Sequence, residues 1–353
     1  MSQSSLTLLL SLAYLGLLFL IAHTGERKAA HWSRGRLGPS IYALSLAIYC
    51  TSWTFYGSVG RAVTNGLDFA LIYVGPIVVI ILAWPVMARI IARAKEQNVT
   101  SIADILGARY GRSRAVAVIA TLIAVVGAMP YIALQLQAVS FSFEALSGKI
   151  GAGELAGSGM LHVPVLQDTA LIVTLMMAAF TILFGVRHVE ASEQHRGMML
   201  AIALESLVKL CALLAGGVFI VWGVFDGPGN LLAEAKSLPA ASHILNPAID
   251  ANWLALTVLS GFAFLCLPRQ FHVAVVEHDH PRSLATARWM FPLYLIAINI
   301  FVVPIAMAGL ARLDPTHVPD FFVLTLPQSA GADWLTAFIF VGGLSAATSM
   351  VAV

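Results

Sequence analysis

The chain has 353 residues, 59% of them hydrophobic and 11% charged, with a mean hydropathy of +0.86 and a formal net charge of +2. Soluble domains run at about 45–50% apolar and about 25% charged, so this chain cannot cover a water-facing surface, and its solvent is lipid. Its three cysteines, Cys50, Cys211 and Cys266, sit in apolar segments without short spacing, which excludes a disulfide framework or a CxxC metal knuckle.

Nine apolar runs are long enough to cross about 30 Å of hydrocarbon as helix. They cover roughly 5–23, 39–60, 68–90, 115–145, 168–186, 198–224, 253–276, 288–311 and 334–353. The first is not read as a signal peptide, because MSQSS carries no positive charge and the basic cluster follows the apolar run. It is expected to stay as an anchor with its N-terminus outside. Odd spans then enter the cytoplasm and even spans leave it. That places fifteen Lys and Arg inside, four (Arg61, Lys149, Lys236 and Arg312) outside, and Lys209 within a span, a strong positive-inside bias. Pro130 is expected to bend the long fourth span. Thr100–Gly111, TSIADILGARYG, reads as a short amphipathic cytoplasmic helix capped by Thr100 or Ser101. The outer loop from about 225 to 252 has room for another around LLAEAK.

A polar side chain in hydrocarbon is costly, so each needs a partner or a task. Glu205 and Lys209 lie four apart in the sixth span and meet on one helix face, which predicts an intramembrane ion pair. The second span carries Cys50, Thr51, Ser52 and Thr54 in close succession. Hydroxyls can return to the helix backbone, but four small polar groups with Gly57 and Gly60 point to a helix broken around a cavity. The seventh span, SGFAFLCLPRQFH, is interrupted by Gly261 and Pro268. The ninth, GGLSAATSM, brings Ser345, Thr348 and Ser349 to membrane depth. EHDH at 277–280 is read as a solvated loop, and His188 and His195 lack a third ligand nearby. No HExxH, Walker A, GxSxG or paired CxxC motif occurs, and no nucleic-acid patch.

These residues together resemble the sodium:solute symporter family. The resemblance rests on Trp53, Gly57 and Gly60 in the second span, on Ala103, Asp104, Arg109, Tyr110 and Gly111, and on the Ser-bearing ninth span. YCTSWTFYGSVG, GVRHVEASEQHRG leading into ESLVKL, LPRQFH and GGLSAATSM resemble one branch, the symporter-like modules fused to bacterial sensor histidine kinases. The resemblance implies an all-α membrane protein, a multi-span bundle of two inverted five-helix repeats (five plus five) truncated after about nine spans. Residues 1–38 would be an anchor helix and basic cytoplasmic loop, 39–224 the first repeat, and 225–353 an outer loop and three helices of an incomplete second repeat. A PAS-like linker and the dimerisation and ATPase domains would follow Val353. With them would come histidine kinase activity, ATP, phosphorelay to a response regulator and two-component signal transduction. No catalytic motif lies in 1–353 itself.

The resemblance also implies sites. A sodium-like site falls on Ala47, Cys50, Gly342, Ser345 and Ala346. Tyr49 stands where proline symporters carry Asp, and Ala346 where a second hydroxyl is common. Both departures weaken sodium coupling and leave Na+ or H+ open as coupling ion. A small solute, an amino acid or small carboxylate, would lie among Thr51, Trp53, Thr54, Tyr56, Tyr131, Gln135, Phe264 and Leu267, with no acidic residue. The expected function is transmembrane solute transport or sensing in the bacterial inner membrane. The alternatives are a stand-alone sodium- or proton-coupled transporter and a non-transporting receptor.

Overall fold

The computed structural model describes residues 3–27, 35, 37–147, 175, 178–179, 196–245, 251–278, 280 and 282–351. Every regular element among them is helical. Among the described residues, six stretches are long and apolar enough to cross a membrane, or seven with the bent pair 251–266 and 268–276. The protein is thus all-α and membrane-spanning, the architecture that satisfies backbone polar groups without water. The expected fifth span lies almost wholly outside the described residues, as do His188 and His195.

Helix α1 (Gln3–Arg27) is followed by α2 (Gly38–Ser45), with Pro39 in its first turn. The chain tightens to a 3-10 turn over Leu46–Tyr49 and leaves the helix at Cys50, where ψ reaches 103°. It resumes as a π turn, Trp53–Gly57, leading into α3 (Ser58–Asn65). The second span is therefore two half-helices with the break at Cys50 and Thr51. The third span also divides, into α4 (Leu71–Leu82) and α5 (Trp84–Glu96), at Ala83 just before Pro85. Arg93 and Lys95 close α5, where cations suit the helix dipole.

Helix α6 (Ile102–Arg109) is capped on its first turn. Ser101 Oγ accepts from Asp104 N at 3.1 Å, and Asp104 Oδ2 accepts from Thr100 Oγ1 at 2.7 Å and from Thr100 N at 3.2 Å. Partial burial opposes the charge of Asp104, but these hydrogen bonds hold its carboxyl below the usual range. Helix α7 (Arg114–Ser147) runs as one helix through Pro130. It leaves Ile119, Leu122, Ile123, Val126 and Met129 exposed, as a lipid-facing helix does.

The remaining elements are α8 (Arg196–Val218), α9 (Pro228–Lys236) in the expected outer loop, and α10 (Ala251–Cys266). Then come α11 (Pro268–Phe271) with a π turn over His272–Val276, α12 (Ser283–Asn299), α13 (Val302–Arg312), α14 (Phe322–Ser329) and α15 (Asp333–Val351). The α10–α11 pair bends by 58° at Leu267. Helix α8 is the centre of the bundle and packs against α1, α2 and α15. Helices α4 and α10 touch at Gly75, where a Cβ would stand 2.1 Å from Ser260 Oγ and 2.3 Å from the Thr257 carbonyl. Close approach of this kind is how helices associate in lipid.

One expectation is overturned at the end of the second bend. The EHDH segment is not a solvated loop: Glu277 and His278 are buried. The π turn brings them under α5 and α2. There the His278 ring stands edge-on to Tyr42 at 5.3 Å, and His272 Nε2 lies 3.3 Å from Glu277 Oε1. Burial, and then the nearby charge of Lys95, push His278 down to about 4. Among the described residues no three metal-ligating side chains cluster here or elsewhere.

Candidate functional site

The break at Cys50 and Thr51 frees backbone groups at membrane depth, and each freed group needs a partner. Side chains from three other helices supply them. Gln270 Nε2 of α11 donates to the Leu46 carbonyl at 3.3 Å. Lys209 Nζ of α8 donates to the carbonyls of Ala47 at 2.9 Å and Cys50 at 2.7 Å. On the far side of the break, Gln135 Oε1 of α7 accepts from Ser52 N at 3.0 Å and Ser52 Oγ at 2.7 Å. Gln135 thereby caps the second half-helix, a task that Ser, Thr, Asp or Asn usually performs from within the chain.

Glu205 and Lys209 are both buried on α8. Contrary to the expected ion pair, no such pair joins them. Thr348 Oγ1 donates to the Glu205 carboxylate, while Lys209 turns to the break. The carbonyls at the break accept the ammonium in place of the carboxylate. Ser345 Oγ donates to the Glu205 carbonyl at 2.8 Å and accepts from Tyr14 Oη of α1 at 2.9 Å. Helix α1 is thus tied into the polar interior.

The residues of the expected sodium-like site do not present a free set of donors. The carbonyls of Ala47 and Cys50 both hold the Lys209 ammonium, and Ser345 is engaged twice. Gly342 packs closely against Phe55 and Ala212, and Ala346 is fully buried. Two unit charges about 4 Å apart repel by about 4 kcal/mol even at an effective dielectric constant of 20. A sodium ion and the Lys209 ammonium therefore do not fit together on these carbonyls.

Beside the break lies a cavity of about 300 Å³. Of the residues expected around a solute, Trp53, Tyr56, Tyr131 and Gln135 line it. Thr51 is buried beside it, with Oγ1 3.3 Å from Tyr131 Oη. Thr54 is buried but absent from the wall. Phe264 packs into the core instead, against Phe291 at 5.3 Å and Tyr49 at 6.1 Å. Leu267 lines a second, larger and mostly apolar cavity of about 730 Å³ together with Tyr131 and Arg269. Tyr131 is common to both cavities, and the Arg269 guanidinium lies over its ring at 4.4 Å.

Of the nine further wall residues outside the expected set, three bear most on its chemistry. Ser52 stood within the polar run, and its role as the partner of Gln135 depends on a helix far along the chain. Phe321 and Asp320 come from the stretch before α14, which looks like an ordinary loop. Asp320 is only partly exposed, makes no side-chain hydrogen bond or ion pair among the described residues, and burial raises its carboxyl above the ordinary range. Arg269, counted among the fifteen inner-side charges, is buried at the second break; Pro268 after an apolar run was its only signal. No family model, curated protein or solved structure matches the chain.

Proposed function

We propose that the chain is a symporter-like module that binds a small solute between its two broken helices and alternates access to it. The observation that carries this reading is the pair of cavities on either side of Tyr131. One opens among Val318–Phe321, the other beside α6. Tyr131, which lines both, is held by Thr51 at 3.3 Å and by the Arg269 guanidinium over its ring, and on this reading the three form a partition. A partition built from both broken helices and α7 is a natural moving part for alternating access. The arginine-rich ends face the cytoplasm of a bacterial inner membrane on this reading, with the N-terminus outside and the solute entering from the Asp320 side.

A cavity of about 300 Å³ stands at the small end of the range for ligand sites. Aromatic walls from Trp53, Tyr56 and Phe321, the Gln135 amide and the unpaired Asp320 carboxylate suit a solute with an amino group. An amino acid fits that description better than a simple carboxylate. In the fused arrangement that the resemblance implies, occupancy would bias a cytoplasmic sensor histidine kinase and its response regulator. A non-transporting receptor is the second reading. The engagement of Ala47 and Cys50 by Lys209 favours it, because it removes the obvious place for a driving sodium ion.

The test is an amino-acid panel in two assays on the purified protein. Trp53 fluorescence in nanodiscs reads binding, with Trp53→Phe as control. Uptake into proteoliposomes under imposed Na+ or H+ gradients reads transport. Saturable quenching with gradient-driven uptake supports the transporter, and quenching without uptake under either gradient supports the receptor. No binding by any member of the panel would sink both as amino-acid readings.

A further inference from the structure

Lys209 is fully buried, and its ammonium bridges two carbonyls at one helix break, that of Cys50 and that of Ala47, which also accepts from Cys50 N at 2.9 Å. Converging main-chain oxygens at the end of a half-helix are what a dehydrated monovalent cation requires. An ammonium is itself a compact point charge with donors only. The geometry points to Lys209 as a tethered cation, covalently supplied to a seat of alkali-ion type, so that the break is held without any dissolved ion.

The surroundings fit a single positive charge. Glu205 lies one turn away on α8, where its carboxyl takes the Thr348 hydroxyl. Arg269 approaches from α11 and disfavours a second cation. The Cys50 thiol adjoins the ammonium from the break, while the nearby hydroxyls of Tyr49 and Tyr294 are turned to the Ile72 and Ser206 carbonyls at 2.8 and 2.7 Å. Among them only Glu205 and Arg269 are ordinarily charged. The inference stands apart from solute binding, since it concerns the seat whether or not the cavity takes a ligand.

Two consequences separate it from an ordinary buried lysine. The native protein has no use for Na+ at this seat. Removing the ammonium while leaving the carbonyls and Glu205 in place creates a site that Na+ can enter. The experiment compares the native protein and Lys209→Ala in nanodiscs. Thermal melting is followed at fixed ionic strength while choline chloride is exchanged for NaCl, and binding of radioactive Na+ is measured in parallel. The native protein should melt at the same temperature in both salts and bind no Na+ saturably. Lys209→Ala should melt lower in choline and regain part of the loss in NaCl, along a saturable curve. Saturable Na+ binding by the native protein would overturn the proposal. So would a folded Lys209→Ala that melts identically in the two salts. If Lys209→Ala cannot be isolated, the native binding measurement decides alone.

Discussion

Gln135 holds two donors of Ser52 with one oxygen, so its loss leaves a buried N–H and a buried hydroxyl without partners. Unsatisfied buried groups cost about 1–3 kcal/mol each. Gln135→Leu, similar in size, should therefore lower the melting temperature measurably. Gln135→Glu keeps the acceptor and should fall less; equal losses would disprove the capping role. Gly343 is the second sensitive residue, because a Cβ there would stand 1.8 Å from Tyr56 Oη. Gly343→Ala should push the Tyr56 ring toward the cavity and weaken quenching of Trp53 by solute more than it lowers stability. His278 sets a pH dependence. Its folded pKa of about 4 lies below the unfolded value of about 6.5, so the unfolded state binds more protons between them. Stability is then flat above pH about 6.5 and falls as pH drops toward 4. His278→Phe should flatten that limb in melts at pH 7 and pH 5. Trp53, Tyr56, Tyr131 and Gln135 were expected around a solute through the family resemblance, and all four line the cavity. The acid at the rim, Asp320, was not, because its burial depends on how the stretch before α14 folds back over Gly60.

At the scale of the helix, the two interruptions explain one another. Leu46, Ala47 and Cys50 surrender their carbonyls to Gln270 and Lys209, and Tyr42 of α2 donates to the Ala274 carbonyl in the π turn over His272–Val276 at 2.7 Å. Each broken helix thereby satisfies part of the other. Both breaks were marked by hydroxyls or by Gly and Pro, and could be read. The division of the third span at Ala83 left no mark in hydropathy, because it lies inside an unbroken apolar run. The Glu205–Lys209 separation was hidden for another reason. Spacing along a helix shows which side chains share a face, but not which competing acceptors the neighbouring helices present to them. Helix contact also yields a prediction. Gly75→Val inserts a branched side chain where Ser260 and the Thr257 carbonyl already fill the space. Overpacking of this kind costs about 1–3 kcal/mol and sometimes more. The variant should melt lower, and Ser260→Ala, which removes one of the obstructing atoms, should restore part of the loss.

For the molecule as a whole, composition alone assigned the solvent, and the described helices agree with a membrane-spanning protein. The order of the spans could be read from apolar runs, whereas their tertiary partners could not, since lipid-facing and buried surfaces are equally oily. Helix α1 is the clearest instance. It was expected to be an anchor, yet Tyr14 reaches Ser345 in the interior and Glu26 Oε2 accepts from Gly197 N at 2.6 Å where α8 begins. The first hydrophobic stretch of a membrane protein is commonly treated as removable in expression work, where a shorter N-terminus or a fused carrier is convenient. Here such a deletion would withdraw a hydroxyl from the interior and uncap the central helix at one stroke. Purification schemes for this chain should keep residues 3–27 intact and place any affinity handle ahead of them.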